Sequence, residues 1–245
     1  MTITTILNLY RRPQNLKKQI ESIRNQTIKT TDIWLWRNLH QDNEQVDLKS
    51  FDVDKTFDNN FNWKFYGRFS AALLSQSDYI AVFDDDTIPG KRWFENCLSS
   101  INQCNGILGS AGVILNSRVY RNHTRAGWPS LNTEIQRVDL VGHAWFFKSE
   151  WLKYMWFEKP FMLDNGEDIQ FSYLAQKFGK INTYCPPHPK NDKSLHGSLE
   201  PIKLGGDRVA TSKNTVVSHK TFFSQRNLCV EHAIDNGWNT VKNIE

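Results

Sequence analysis

Three consecutive carboxylates, Asp84-Asp85-Asp86, follow the apolar run Tyr79-Ile80-Ala81-Val82-Phe83 and precede Thr87-Ile88-Pro89-Gly90. Adjacent anions repel one another and cost stability unless something neutralises them. A hard divalent cation does this with oxygen ligands, and the same cation can hold a phosphate. A bare acidic triplet also fits a solvated turn, since short motifs match by chance. Its position argues for the metal. Tyr79 to Phe83 reads as a buried strand that Pro-Gly ends, and an open α/β sheet places its ligand site at the carboxyl end of such a strand.

A second acidic pair, Glu167-Asp168, follows the turn Asp164-Asn165-Gly166 and opens a stretch in which Ile169, Tyr173, Leu174 and Phe178 share a helical face. A carboxylate there fits a general base. It equally fits an ordinary first-turn acid favoured by the helix macrodipole. His143 and Trp145 alternate with Val141, which predicts all three on one strand face, as the wall of a site or as core. His188 and His196 fall in a long loop and take no role from their spacing.

The elements that position these residues start with a β-branched run, Ile3 to Leu9, broken at Asn8-Leu9-Tyr10-Arg11-Arg12-Pro13. Pro13 suits the first turn of a helix, and Leu16, Ile20 and Ile23 continue it to Gln26. Asp32-Ile33-Trp34-Leu35-Trp36 is a second strand ending at Arg37-Asn38. This βαβ opening predicts a parallel sheet with a right-handed crossover. Residues 40–60 read as a weakly structured polar loop, Phe65 to Ser75 as a helix with Arg68 at its start, and Lys91 to Gln103 as another helix. Further strands are expected at 106–115, 138–147 and 181–185. Ser149 is placed to cap a short helix to Met155. Residues 117–136 are basic and aromatic without a clear period, and 186–218 are rich in Pro, Gly and Lys. A final helix is expected from Thr221 to Asn236.

With 245 residues, 39% hydrophobic and 23% charged, the chain has the composition of an ordinary globular protein. Its nine Trp and fifteen Phe can fill a core or line a groove for flat ligands. The net charge is +4, with Lys and Arg scattered, which argues against a nucleic-acid partner. Cys97, Cys104, Cys185 and Cys229 have no zinc spacing and read as reduced core thiols. No basic head with an apolar core stands at the N-terminus, and no run reaches transmembrane length. The expectation is a cytoplasmic chain with no integral membrane segment, in which the sequons at Asn25 and Asn122 carry no glycan.

Taken together, these motifs resemble the GT-A glycosyltransferases, family-2-like or exostosin-like. Asn8 to Pro13 resembles the family's Asn/Thr-x-Tyr-x-Arg-Pro opening, and Asp84-Asp85-Asp86 its DxD motif. Val141-Gly142-His143-Ala144-Trp145-Phe146-Phe147 followed by Gly166-Glu167-Asp168 resembles its acceptor half. The resemblance implies an α/β GT-A fold: a Rossmann-like nucleotide-binding half, a mostly parallel sheet flanked by helices, and an acceptor-binding half. It implies a single catalytic domain over 1–245, with nucleotide-sugar binding in 1–103 and acceptor binding in 104–245, including a lid within 186–218. The donor would be a nucleotide-sugar, a UDP-sugar by preference, the acceptor a glycan or other hydroxyl, and the cofactor Mn²⁺ or Mg²⁺. By position, Leu9, Tyr10 and Arg12 would hold the nucleoside, with Asn38 beside the base. Arg68 would meet the base or diphosphate. Asp84 would bind the ribose or donor sugar, with Asp85 in the same donor-binding set. Asp86 would bind the metal, and His219 would return to it from the C-terminal side. Lys193, Lys203 and Arg208 would reach the diphosphate. Asp168 would be the base of an inverting transfer, with Glu167 as its alternative. One departure stands out: the second strand usually ends in acids that read the base, and here it ends at Arg37-Asn38. A nucleotidyltransferase making nucleotide sugars, and a glycan-binding module without catalysis, are the competing readings. The first lacks its usual Gly-rich loop after strand one.

Overall fold

The run from Ile3 to Leu9 is buried on both faces, and it forms β1 (Ile3–Leu9) between two parallel neighbours, β2 (Asp32–Arg37) and β4 (Tyr79–Phe83). The computed structural model of the chain describes residues 1–199, 201–205 and 219–244. Helix α1 (Pro13–Arg24) begins on Pro13, where a missing N–H costs nothing, and buries Leu16, Ile20 and Ile23. Beyond β2 the sheet gains a parallel edge strand, β3 (Lys55–Asp58). That strand lies inside the stretch predicted as loop; it is short and mostly exposed, as edge strands often are, so no alternating apolar pattern marks it.

The other half of the sheet comes from β5 (Ile107–Leu115), β6 (His123–Gly127), β7 (Gln136–Val138), β8 (Leu140–Lys148) and β9 (Thr183–Cys185). Among the described residues the order is β3-β2-β1-β4-β8-β5-β9-β7, with β6 beside β5. The first four strands are parallel, and β8 enters antiparallel between β4 and β5. Helices α2 (Gly67–Ala72), α3 (Trp93–Cys104), α4 (Glu167–Gly179), α5 (Pro201–Gly205) and α6 (His219–Asp235) flank it. This is the expected α/β architecture. Two local expectations fail. The basic 117–136 stretch contains β6. Residues Ser149–Trp156 form a 3₁₀ segment rather than a capped α-helix, because the Ser149 hydroxyl donates to the Ser77 carbonyl at 2.6 Å instead.

One apolar cluster packs around the centre of the sheet, and a second joins β5 and β8 to α4 and α6 through Leu115, Leu140, Leu174 and Val230. All four cysteines are free. No helix among the described residues is long and apolar enough to cross a membrane.

Residues 186–199 are held to the α3 side of the acidic turn. Gly90 N donates to His196 O at 2.8 Å and Leu199 N to Ile88 O at 2.6 Å, and the Asn96 amide spans Pro187 O and Leu195 O. His188, only 1% exposed, is the pin. Its Nε2 accepts from Gly197 N at 3.2 Å, which leaves the proton on Nδ1 to donate to Pro186 O at 2.8 Å. Burial pulls its pKa from 6.5 to about 4. The unfolded chain therefore takes up a proton below pH 6.5 that the folded chain refuses until about pH 4. Stability should fall as pH drops through that window, by about 3 kcal/mol in total from this group. Thermal melts from pH 7.5 to 4.5 should show a steeper loss in the wild type than in His188→Gln, and parallel curves would remove His188 as the cause.

Candidate active site

The acidic turn after β4 is built by α1. Gln19 Nε2 donates to Asp84 O at 2.8 Å and to Thr87 O at 2.7 Å, and Asn15 Nδ2 donates to Asp85 O at 3.0 Å. Both amides are buried on the helix's apolar face. With the turn's carbonyls tied down, the three carboxylates point in different directions. Asp85 points inwards. It accepts from Arg12 Nη1 at 2.7 Å and from Arg11 N at 3.0 Å, and it is 8% exposed. Burial raises its pKa despite the Arg12 charge. Asp85 and Arg12 thus strut the β1 and β4 loops against each other.

Asp84 and Asp86 turn towards β8, where His143 meets them. One donor atom from each of Asp84, Asp86 and His143 lies within 4.8 Å of the others, an arrangement that could hold a metal ion. A bulge delivers the histidine. Between the pairs Gly109↔Trp145 and Ala111↔Gly142, β8 carries one residue more than β5. His143 takes φ +67°, a left-handed conformation that costs a non-glycine residue about 1–2 kcal/mol. The bulge also breaks the predicted alternation. Trp145 is buried against Phe69, at a centroid distance of 5.4 Å, whereas His143 faces Asp86 and the edge of Trp128, at 4.6 Å.

The donor set fits a divalent cation. His143 Nδ1 is buried without a hydrogen-bond partner and lies 3.7 Å from Asp86 Oδ1. Burial would lower the His143 pKa, but the Asp86 carboxylate outweighs it and the net shift is upward. Burial would likewise raise Asp86, and His143 with Arg12 brings it down. The pair is electrostatically matched, and a cation would take the place of the imidazole proton. Two carboxylates and an imidazole suit Mn²⁺ better than Mg²⁺. The backbone at Gly205 of α5 closes over this cluster. Arg12 Nη2 donates to Gly205 O at 3.3 Å, and a Cβ on Gly205 would come within 2.1 Å of Asp86 Oδ2.

At the β1 end, Leu9 is core, at 1% exposure, and offers only its carbonyl, which accepts from Asn38 N at 2.9 Å. The Asn38 side chain is buried and fully engaged: it donates to Asn62 Oδ1 and Lys64 O, and accepts from Trp63 N at 2.7 Å. Asn62 in turn donates to the Tyr10 hydroxyl at 3.1 Å, and Tyr10 packs edge-on against His40. Arg37 is spent on Asp58, with Nε to Oδ1 at 2.7 Å. The end of β2 thus fixes a loop that presents Phe61 and Trp63, 58% and 53% exposed, beside Tyr10.

Arg68 joins this half to the other. Its Nη1 pairs with Asp84 Oδ1, and its Nη2 lies 3.3 Å from Glu167 Oε1 at the start of α4. Burial and the Asp168 charge push Glu167 up to about 8, against the pull of Arg68 and Arg226, so Glu167 holds its proton at neutral pH. Asp168 faces α6: Oδ2 accepts from Arg226 Nη2 at 2.7 Å, and Oδ1 accepts from Ile169 N at 2.8 Å. The predicted residues therefore fall into three groups: Leu9, Tyr10 and Asn38 at the ends of β1 and β2, the acidic turn, and the head of α4, the last two joined by Arg68. The His219 side chain and Arg208 lie outside the described residues. Lys193 sits in the turn packed on Gly90, and Lys203 lies on α5. Three residues without an assigned role in the sequence belong here, Asn15, Gln19 and Arg226, and His143, read as site wall or core, joins the acidic turn. The first two were legible as amides at i and i+4 on an apolar helix face.

A sheet of this order, carrying an acidic turn after β4 and a carboxylate pair at the head of α4, defines a GT-A glycosyltransferase. The chain belongs to glycosyl transferase family 2, whose family model matches residues 4–162. No curated protein matches it in sequence. Among solved structures it is similar to S. aureus TarS 1-349, at a TM-score of 0.54 and 15% identity over 76% of this chain and 60% of that one. A longer S. aureus TarS structure matches with the same score and identity over 77% of this chain and 37% of that one. The chain thus spans less than two thirds of either TarS structure, and at this identity the likeness concerns the fold. The matching family is one of glycosyl transferases, in line with the first of the three readings.

Proposed function

We propose that the chain moves a sugar from a nucleoside-diphosphate sugar, a UDP-sugar by preference, to a glycan or other hydroxyl acceptor, with inversion at the anomeric carbon. The observation that carries this reading is the Asp84–Asp86–His143 cluster linked through buried Arg68 to the Glu167-Asp168 pair. Residues 1–103 would bind the donor and 104–245 the acceptor, within one catalytic domain. Asp84, Asp86 and His143 would hold Mn²⁺ or Mg²⁺, which when bound supplies Lewis-acid charge against the diphosphate leaving group.

The chain's own residues supply the remainder. Tyr10, beside Phe61 and Trp63, would present aromatic surface to the nucleobase, with Leu9 and Asn38 shaping the floor through their backbone and loop contacts. Arg12, already tied to Asp85 and Asp86, keeps positive charge near the diphosphate. Arg68 fixes Asp84 towards the donor and, at its other end, holds Glu167 in place. Asp168 would accept the proton of the acceptor hydroxyl as its oxygen attacks the face opposite the diphosphate. Glu167, mostly protonated at neutral pH and held by Arg68, is the alternative. A cytoplasmic location would suit a chain that draws on nucleotide sugars.

A donor-hydrolysis screen across UDP-, GDP- and CDP-sugars, with and without Mn²⁺, tests the reading. The expected result is Mn²⁺-dependent release of one nucleoside diphosphate, together with a thermal shift on adding UDP plus Mn²⁺ that neither gives alone. No turnover and no shift with any nucleotide would remove it.

A further inference from the structure

We infer that Arg226 is the positioning residue for Asp168: the C-terminal helix α6 reaches back to hold the base in its working rotamer. The inference rests on the reading of Asp168 as the base. Arg226 is buried, and its guanidinium makes directed contacts at one end. Nη2 donates to Asp168 Oδ2 at 2.7 Å, and Nη1 donates to Asn165 Oδ1 at 3.2 Å. Its flat face lies on Tyr120, 4.1 Å from the ring centroid, with Phe222 beyond at 5.8 Å. Tyr120 is itself fixed, its N–H donating to Asn227 Oδ1 at 2.8 Å on the same helix. The Nε of Arg226 is buried with no hydrogen-bond partner.

The arrangement fits what a base at this place needs. Asp168 and Glu167 are buried side by side, where neighbouring negative charges repel each other. Arg226 supplies a charge partner to one of them and directs its Oδ2. Ile169 N holds Oδ1 from the helix start. A carboxylate has roughly four acceptor sites, so these two contacts leave others open to an acceptor hydroxyl. Asn165, anchored by the same guanidinium, shapes the turn that places Asp168 at the head of α4. The clamp crosses the fold from α6 to α4, both of them outside residues 4–162 matched by the family model, so the geometry of the base depends on the docking of the last helix.

The test is a double-mutant cycle on Arg226 and Asp168, using hydrolysis of the UDP-sugar that the donor screen selects, at saturating Mn²⁺. Arg226→Gln should lower turnover about 10²-fold, the cost of a base displaced by about an ångström. UDP affinity by calorimetry should stay within about twofold, and Arg226→Lys should recover part of the rate. A residue that acts through Asp168 has nothing to act on once Asp168 is gone. The double variant should therefore be no slower than Asp168→Asn alone. A double variant slower by the product of both losses overturns the inference, as does near-normal turnover in Arg226→Gln beside an impaired Asp168→Asn. Near-normal turnover in Asp168→Asn removes the base reading and this inference with it. If Arg226→Gln does not fold, Tyr120→Leu, which loosens the seat of the guanidinium, takes its place in the same cycle with the same criteria.

Discussion

Replacing Asp86 with alanine is expected to lower metal-dependent turnover by about 10³-fold or more while leaving the fold intact, since a Lewis acid at the leaving group supplies several kcal/mol. The two halves of that expectation come from the same geometry. Asp86 lies at a strand end with its carboxylate towards His143, 3.7 Å away, and Arg12, 3.5 Å away. Arg12 keeps its closer partner, Asp85 at 2.7 Å, when Asp86 is removed, so no buried cation is left alone. Asp85→Ala is the contrasting variant. It takes from the buried Arg12 its closest partner, leaving Asp86 at 3.5 Å and Gly205 O, and should cost more stability than Asp86→Ala. Mn²⁺ titration by calorimetry in the presence of UDP separates the two: Asp86→Ala should melt normally and bind Mn²⁺ poorly, and Asp85→Ala should melt early. His143→Ala should fall between, losing one of the clustered donors and also the strain of a left-handed histidine. Normal turnover of Asp86→Ala at saturating Mn²⁺ would end its assignment as a ligand.

The contrast between neighbouring aspartates marks the limit of what the sequence could reveal. Tyr79 to Phe83 announced a buried strand, and Pro89-Gly90 its end, because burial and turn chemistry are local. The opening β1–α1–β2 unit was legible for the same reason. Which of Asp84, Asp85 and Asp86 faces the cleft was not, because it depends on Gln19 and Asn15 holding carbonyls some 65–70 residues away in the chain. His143 was read by alternation. A bulge adds one residue to β8 there, and it holds a non-glycine residue in a backbone conformation that local sequence does not mark. Asn38 was placed beside the base by the resemblance; the engagement of its amide with the 62–64 loop was not legible in the sequence. Edge strand β3 and basic β6 lacked the apolar alternation that marks half-buried strands. The head of α4 was legible as an acidic helix start. Its division of labour was not, because Arg68 and Arg226 come from distant elements.

That division of labour carries the second large effect. Asp168→Asn is expected to lower turnover by about 10²–10⁴-fold, the range general-base catalysis supplies, with donor affinity kept. Two features favour Asp168 over Glu167 as the proposed base. Glu167 is pushed up to about 8 by burial and by its neighbour, so at neutral pH most of it carries the proton. It is also held by Arg68, which pairs with Asp84 at its other end, whereas Asp168 is held by Arg226 of α6. Glu167→Gln should then be the milder change, since glutamine reproduces a neutral side chain that can still accept from Arg68. The stereochemistry follows from the roles. A base that deprotonates the acceptor hydroxyl for attack on the face opposite the diphosphate gives inversion. A retaining enzyme would use an acid at this place to position acceptor or donor. Proton NMR of the first-formed product, read before mutarotation, distinguishes them. Inversion in the wild type, with turnover lost and UDP affinity kept in Asp168→Asn, is the expected outcome. A retained configuration, or an Asp168→Asn variant slowed no more than Glu167→Gln, would take the base role away from Asp168 and leave Arg226 clamping a carboxylate whose function is positional.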